Sequence, residues 1–233
     1  MIQLNSEELK GKHGMTFRTL EVAGLVPAFH AMRNPKDSWN QSDSKITDLP
    51  GNLLIGENDM KLAQSLISGG PCHSKFLRDI IVWVDITGPL YFWTELDTYK
   101  VGTVRNSCST MHKLTSKVKA VDGDELTDSK IYELFCVDDD PLVLDHIRTT
   151  WTLMHDYYVH SMDEENVKLR KLKQLLPDSY RMQATYMCSY ATIRNINKWR
   201  ATHRLPEWSV DWMEWVKTLP YAEHLIFYRS DVG

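Results

Sequence analysis

The chain has 233 residues, of which 42% are hydrophobic and 25% charged, and a formal net charge of −4. That composition excludes intrinsic disorder and collagen-like order, the length suffices for a core without disulfides or structural metal, and no apolar run is long enough to span a bilayer. The opening Met1–Lys12 is polar, without the apolar core of a signal peptide, and four scattered cysteines (Cys72, Cys108, Cys136, Cys188) lack any CxxC pair, which fits free thiols in a reducing, cytoplasmic setting.

In chain order, Met15–Gly24 alternates as a strand ending at a glycine, and Leu25–Arg33 reads as a short helix stopped by Asn34-Pro35. Asn34–Pro50 is a polar loop. Glu57–Ser68 carries a helical stripe of Met60, Leu62, Ala63, Leu66 and Ile67, closed by Gly69-Gly70-Pro71. Leu77–Thr87 is the best strand in the chain, β-branched and expected to be buried on both faces. Gly88-Pro89 turns it into a helix of roughly 12 residues carrying Leu90, Trp93, Leu96 and Val101. Asn106–Lys119 is rich in Ser and Thr and ambiguous, and Val121–Asp128 is a loop.

Pro141 suits the first turn of a long helix, with Asp138–Asp140 as caps. Leu144, Ile147, Trp151, Met154 and Tyr158 then recur at helical spacing. A second helix spans Glu164–Leu176 and a third Tyr180–His203. A last one carries Trp208, Trp212, Met213, Trp215 and Val216 and stops at Leu219-Pro220. Leu225–Tyr228 reads as a short terminal strand. These elements predict a single domain over 1–233: a strand-helix start, a central strand at 77–87 and a helical half at 138–218. The class is α+β, mostly helical with a small mixed sheet.

The positive charge is segregated along the chain. Thr98–Val121 holds no acid but carries Lys100, Arg105, Lys113, Lys117 and Lys119. Ser179–Pro206 holds none either, and carries Arg181, Arg194, Lys198, Arg200 and Arg204. If the two segments meet in space they make a positive pocket for a small anion, on a surface otherwise repelling nucleic acid; the alternative is two solvated helix faces. Tyr99–Lys113 adds Thr103, Ser107, Ser109, Thr110 and Gly102 among those cations, the mixture of hydroxyls, backbone donors and positive charge that a phosphate uses. Helix-capping Ser and Thr would give the same composition. Zinc motifs, GxSxG, a P-loop and GxGxxG are all absent. No metal site is expected, and a Cys108–His112 nucleophile stays open only as a chance pairing.

With those residues in view, the order of elements from about Thr16 to about Leu225 resembles the flavin-dependent thymidylate synthases. That family opens with a strand, a glycine and a helix, as Phe17–Arg33 does here, and continues with a helix, a short loop and a long apolar strand, here Lys61–Gly70, Pro71–Phe76 and Ile80–Thr87. Its signature is Arg-His-Arg, seven residues, then Ser. The corresponding stretch here is Thr98-Tyr99-Lys100, seven residues, then Cys108, with Thr110 two further on. In the C-terminal half Leu176-Pro177 matches the family's Leu-Pro pair. Asn195 and Arg200 stand at the spacing of its second Asn and final nucleotide-binding Arg, while Ser189 and Ala191 replace its first Asn and Arg. Lys173 falls where the family has a phosphate-binding Arg, and Ser74 where it has a flavin-contacting Ser or Thr.

The resemblance implies the family fold, a homotetramer, FAD as cofactor, methylenetetrahydrofolate as co-substrate and a dUMP-like nucleotide as substrate. It implies no protein nucleophile; catalysis there is by positioning and electrostatics, and no general base is named here. Nucleotide phosphate is assigned to Arg105, Ser109, Thr110, Lys113, Lys173 and Arg200, and cofactor contacts to Ser74, Lys100 and Asn195. Three functions remain open: a divergent flavin-dependent nucleotide methylase or hydroxymethylase, a non-catalytic nucleotide binder on the same scaffold, and an interaction protein. Trp93, Tyr99 and Trp199 are candidates to stack on a base, or core residues. No nucleic acid or membrane partner is expected, and the divergence would suit a bacterial-virus genome.

Overall fold

The structure is a computed structural model that describes residues 7–46 and 53–229. The first half of Met1–Lys12 and the end of the 34–50 loop lie outside the described residues.

Five strands form the main sheet: β1 (Leu9–Lys10), β2 (Thr16–Ala23), β5 (Ile81–Pro89), β7 (Arg181–Ser189) and β6 (Val104–Ser107), in that spatial order. Every ladder is antiparallel. The α+β class therefore holds, with antiparallel pairing in place of a mixed sheet. A two-stranded ribbon joins β3 (Lys45–Ile46) to β4 (Leu53–Leu54).

One face of the sheet is buried: Phe17, Thr19 and Val22 on β2, Val82, Val84 and Ile86 on β5, Ala184, Tyr186 and Cys188 on β7. The other face of β5 (Ile81, Trp83, Asp85, Thr87) is only half-buried, so the expectation of burial on both faces is corrected. The reason is the period-two alternation of a sheet with helices on one side. On the open face Asp85 accepts from Arg18 Nη2 at 2.6 Å and from Thr185 Oγ1 at 2.6 Å.

Helix α1 (Leu25–Ala31) follows β2 through Gly24, whose φ is +93°. A Cβ there would lie 1.9 Å from the Asp79 carbonyl oxygen. Gly24→Ala should thus lose about 1–3 kcal/mol to backbone strain alone, read as a lowered denaturation midpoint; an unchanged midpoint would mean this turn relaxes freely. Helix α2 spans Glu57–Ser68, as its apolar stripe predicts. The loop before it supplies its missing cap: Asp43 accepts from the backbone N–H groups of Asn58 and Asp59.

Helix α3 (Leu90–Leu96) grows directly out of β5. It is shorter than the roughly 12 residues expected, and Val101 is exposed beyond it rather than buried. The ambiguous stretch resolves into β6 and α4 (Thr110–Ala120). Then come α5 (Asp128–Leu134), α6 (Pro141–His160) and α7 (Glu165–Leu175). Asp140 caps α6 by accepting from Leu142 and Val143. Its buried residues are Leu144, Ile147, Trp151 and Met154, with Tyr158 packed alongside. Helices α4 to α7 share a second apolar core with Phe135 and Tyr180.

The largest departure from expectation is at 180–203. The segment is not one helix but strand β7 followed by α8 (Tyr190–Arg200). Ser189 is the boundary, its hydroxyl accepting from the Thr192 N–H as an N-cap. A π-helical turn (Glu207–Trp212) and α9 (Met213–Lys217) bury three tryptophans, of which Trp212 and Trp215 meet Phe17 on the sheet's buried face. Trp215 stacks on Phe17 at 5.3 Å and donates to Thr19 Oγ1 at 3.0 Å. The expected terminal strand at Leu225–Tyr228 is not formed; α10 (Ala222–Leu225) ends there, its C-terminal carbonyls held by Arg194.

Candidate functional site

The two acid-free segments do meet. Strand β6 pairs with β7, placing Arg105 opposite Tyr186, and Arg200 at the end of α8 donates to the Tyr99 hydroxyl at 3.2 Å. Between them lies an open cleft of about 310 Å³ lined by Leu96, Asp97, Lys100, Thr103, Arg105 and Tyr186. Its shape follows from local sequence. Helix α3 ends at Leu96, Gly102 at φ +68° lets the chain reverse, and Thr103 Oγ1 ties the turn to the Tyr99 carbonyl at 2.8 Å.

The expected positive pocket is corrected by two carboxylates just upstream of the first acid-free segment. Asp97 holds Arg105 at 2.8 Å, and Glu95 holds Arg200 at 2.8 Å. Arg105 also lies over the Trp93 ring at 5.3 Å, and Arg200 over Trp208 at 5.1 Å. His203 Nε2 approaches Glu95 at 3.5 Å, while its Nδ1 accepts from the Leu205 N–H. Lys100 makes no ion pair among the described residues. Other cations of these segments serve the fold: Arg181 donates to the Tyr132 carbonyl and Lys117 sits over Tyr180.

Of the residues singled out from sequence, Lys100 and Arg105 line the cleft, and Arg200 stands in the layer beside it through Tyr99. Ser109, Thr110 and Lys113 lie on the first turn of α4, past β6 and outside that lining. Lys173 is exposed on α7 and Asn195 exposed on α8. Ser74 donates its hydroxyl to the Gly70 carbonyl at 3.1 Å. Trp93 is buried, Tyr99 half-buried and Trp199 exposed. Cys108 and His112 are both exposed, and no cluster of three metal-ligating side chains occurs among the described residues.

Tyr186 is the site residue that sequence reasoning missed. Tyr186 is 2% exposed, and its buried hydroxyl lies beside the Thr103 hydroxyl. Thr103 donates to the Tyr99 carbonyl and keeps its lone pairs for the Tyr186 O–H. Burial pushes the Tyr186 phenol well above its ordinary value, so it stays protonated and can donate to a ligand. The alternation of Ala184, Tyr186 and Cys188 was the available signal. Cys136 and Cys188 are buried and free, and burial raises both thiols, that of Cys136 to about 12.

No protein-family model matches the chain, nor does any curated protein. Solved structures do. The flavin-dependent thymidylate synthase ThyX from Helicobacter pylori, complexed with FAD and dUMP, superimposes with a TM-score of 0.72 at 19% identity, covering 90% of this chain and 97% of that one. A second structure of the Helicobacter pylori protein, also with FAD and dUMP, gives 0.72 at 18% identity over 90% and 96%. No helix among the described residues is long and apolar enough to cross a membrane. Sheet, helices and their order together give this chain the fold of the flavin-dependent thymidylate synthases.

Proposed function

We propose that the protein binds a pyrimidine-nucleotide-type ligand in the Leu96–Tyr186 cleft, and does so without flavin. The observation that carries this reading is the cleft where the two basic segments meet, with Lys100 unpaired among the described residues and the Thr103 and Tyr186 hydroxyls on its wall. Lys100 supplies the positive charge, Asp97 an acceptor and Leu96 an apolar floor. The solved structures that share this fold carry dUMP together with FAD.

The changed signature and the engaged arginines weigh against FAD. A flavin pyrophosphate needs free cations and donors. Arg105 and Arg200 are engaged by Asp97 and Glu95, and Ser74 donates to Gly70. The family signature positions hold Thr98 and Tyr99, and Ala191 replaces another Arg. A second reading, flavin-dependent one-carbon transfer with methylenetetrahydrofolate, is favoured by the fold match over 90% of the chain. Absorbance from 300 to 550 nm after incubation with FAD and desalting separates the two. A flat spectrum with a thermal shift on adding dUMP or deoxyuridine supports the first; a retained flavin band overturns it in favour of the second.

Tyr186→Phe sharpens the test. The unliganded variant should lose no more than about 1 kcal/mol, the worth of the hydroxyl's contact with Thr103. Ligand binding should weaken by about 0.5–1.5 kcal/mol, the worth of a neutral hydrogen bond. Undiminished stabilisation by ligand would place the site elsewhere. The half-buried sheet face around Trp83 and Met187 supports self-association, consistent with the tetramer expected by resemblance, and four free thiols suit a reducing compartment such as the cytoplasm.

A further inference from the structure

Glu95 and Asp97 stand two residues apart at the end of α3, and each holds an arginine from a different segment. Arg105 comes from β6 and Arg200 from α8. Among the described residues the charged groups lining the cleft are Asp97, Lys100 and Arg105; the Glu95–Arg200 pair stands beside it, with His203 against Glu95. Two cations are matched by two carboxylates, and Lys100 alone is left over. The remaining recognition group, the Tyr186 phenol, is neutral and protonated.

We infer that Glu95 and Asp97 select the ligand by charge: the cleft takes a nucleoside carrying a single negative charge, of phosphodiester type, in preference to one with a terminal phosphate. The inference rests on the nucleotide-type reading above and narrows it. A terminal phosphate carries about −1.5 to −2 at pH 7. To reach Arg105 or Arg200 it must push aside a carboxylate, stranding that group beside the incoming anion. To stay on Lys100 alone it brings uncompensated charge close to Asp97, and like charges at a recognition surface are a means of rejection. A phosphodiester-type monoanion meets neither obstacle. It neutralises the Lys100 ammonium, a compact point charge that makes no demand for a fork, accepts from Tyr186, and leaves both arginine pairs intact.

Isothermal titration of deoxyuridine, dUMP and the methyl ester of dUMP into the full chain tests this. The wild-type protein should bind the methyl ester about tenfold or more tightly than dUMP, and Asp97→Asn or Glu95→Gln should shrink that ratio to about threefold or less. The ratio is taken within one protein, so a general loss of stability in a variant does not alter it. Asp97 is 43% exposed along its side chain, so its substitution is tolerated by the fold. Equal or tighter binding of dUMP by the wild-type chain overturns the charge selection alone, as does a ratio unmoved in both variants. Binding of none of the three probes overturns the nucleotide reading and this inference with it.

Discussion

Asp59→Ala is expected to cost about 3–5 kcal/mol of folding free energy, the loss typical of removing one partner from a buried ion pair. Asp59 is fully buried on α2 and takes every one of its partners from elsewhere in the N-terminal third. Its Oδ1 receives Arg33 Nε at 2.6 Å and Nη2 at 2.5 Å; its Oδ2 receives the Ser42 hydroxyl at 2.6 Å and the Ser44 hydroxyl and N–H at 2.5 and 3.1 Å. Arg33 is itself 3% exposed and also donates to the Ser38 carbonyl. Alanine would strand a guanidinium in the interior and release the 38–44 loop. Burial pushes the Asp59 carboxyl up, and the donors from Ser42, Ser44 and Arg33 more than offset it, so the folded-state value lies below the ordinary one.

That direction fixes the pH dependence. The stabilisation is fully present above the unfolded carboxyl value of about 3.9 and is lost as pH falls through the lower folded value. Urea unfolding at pH 7 should therefore separate Asp59→Ala widely from the wild type, and the gap should narrow as pH falls below the unfolded carboxyl value of about 3.9. A double Arg33→Met, Asp59→Leu variant should lose much less than Asp59→Ala, since an apolar pair leaves no charge behind. Equal losses for the two variants would mean that packing, not charge, holds this corner together.

Trp212→Ala is the second large effect expected, about 3–5 kcal/mol from a cavity of aromatic size. Trp212 is fully buried between the sheet and α8. Its ring meets Trp215 at 4.8 Å, Trp208 at 5.5 Å, and Phe17 and Phe92 at 6.3 Å. Its indole N–H donates to Asn197 Oδ1 at 2.8 Å. Trp212→Phe keeps much of the contact but leaves the Asn197 carbonyl unpaired, which should cost about 1–3 kcal/mol. Tryptophan fluorescence in urea measures both. If phenylalanine is as damaging as alanine, the hydrogen bond outweighs the packing.

What was legible in the sequence was what its local chemistry controls. The stripe of α2 and its closing glycines, and the proline and aspartates that open α6, gave those helices with little error because period and caps agree. Strand β7 was lost for a physical reason. Tyr190 follows Ser189 without a glycine or proline between strand and helix, so the helical period of α8 reads backward into a segment whose own period is two. The cleft suffered twice from this. A helix over 180–203 hides both the strand position of Tyr186 and the cleft wall it forms. Charge misleads differently: the acid-free segment begins at Thr98, but Glu95 and Asp97 are brought onto Arg200 and Arg105 by the turn that follows α3. A linear window sees neighbours in sequence, and neutralisation is decided by neighbours in space.

The pairing of β5 with β7 joins Ile81 to Ser189 and Pro89 to Arg181, with α4 to α7 lying between them in the chain. On the ribosome this sets an order of events. Strands β2 and β5 emerge early and can zip together, while the intervening helices fold around their own apolar core. Throughout that interval the far edge of β5 presents unsatisfied backbone groups beside Val82, Val84 and Ile86, the arrangement that recruits stray strands. Nascent chains that stall before Ser189 thus carry an adhesive edge, and their fate is set by whether a chaperone or another nascent chain reaches it first.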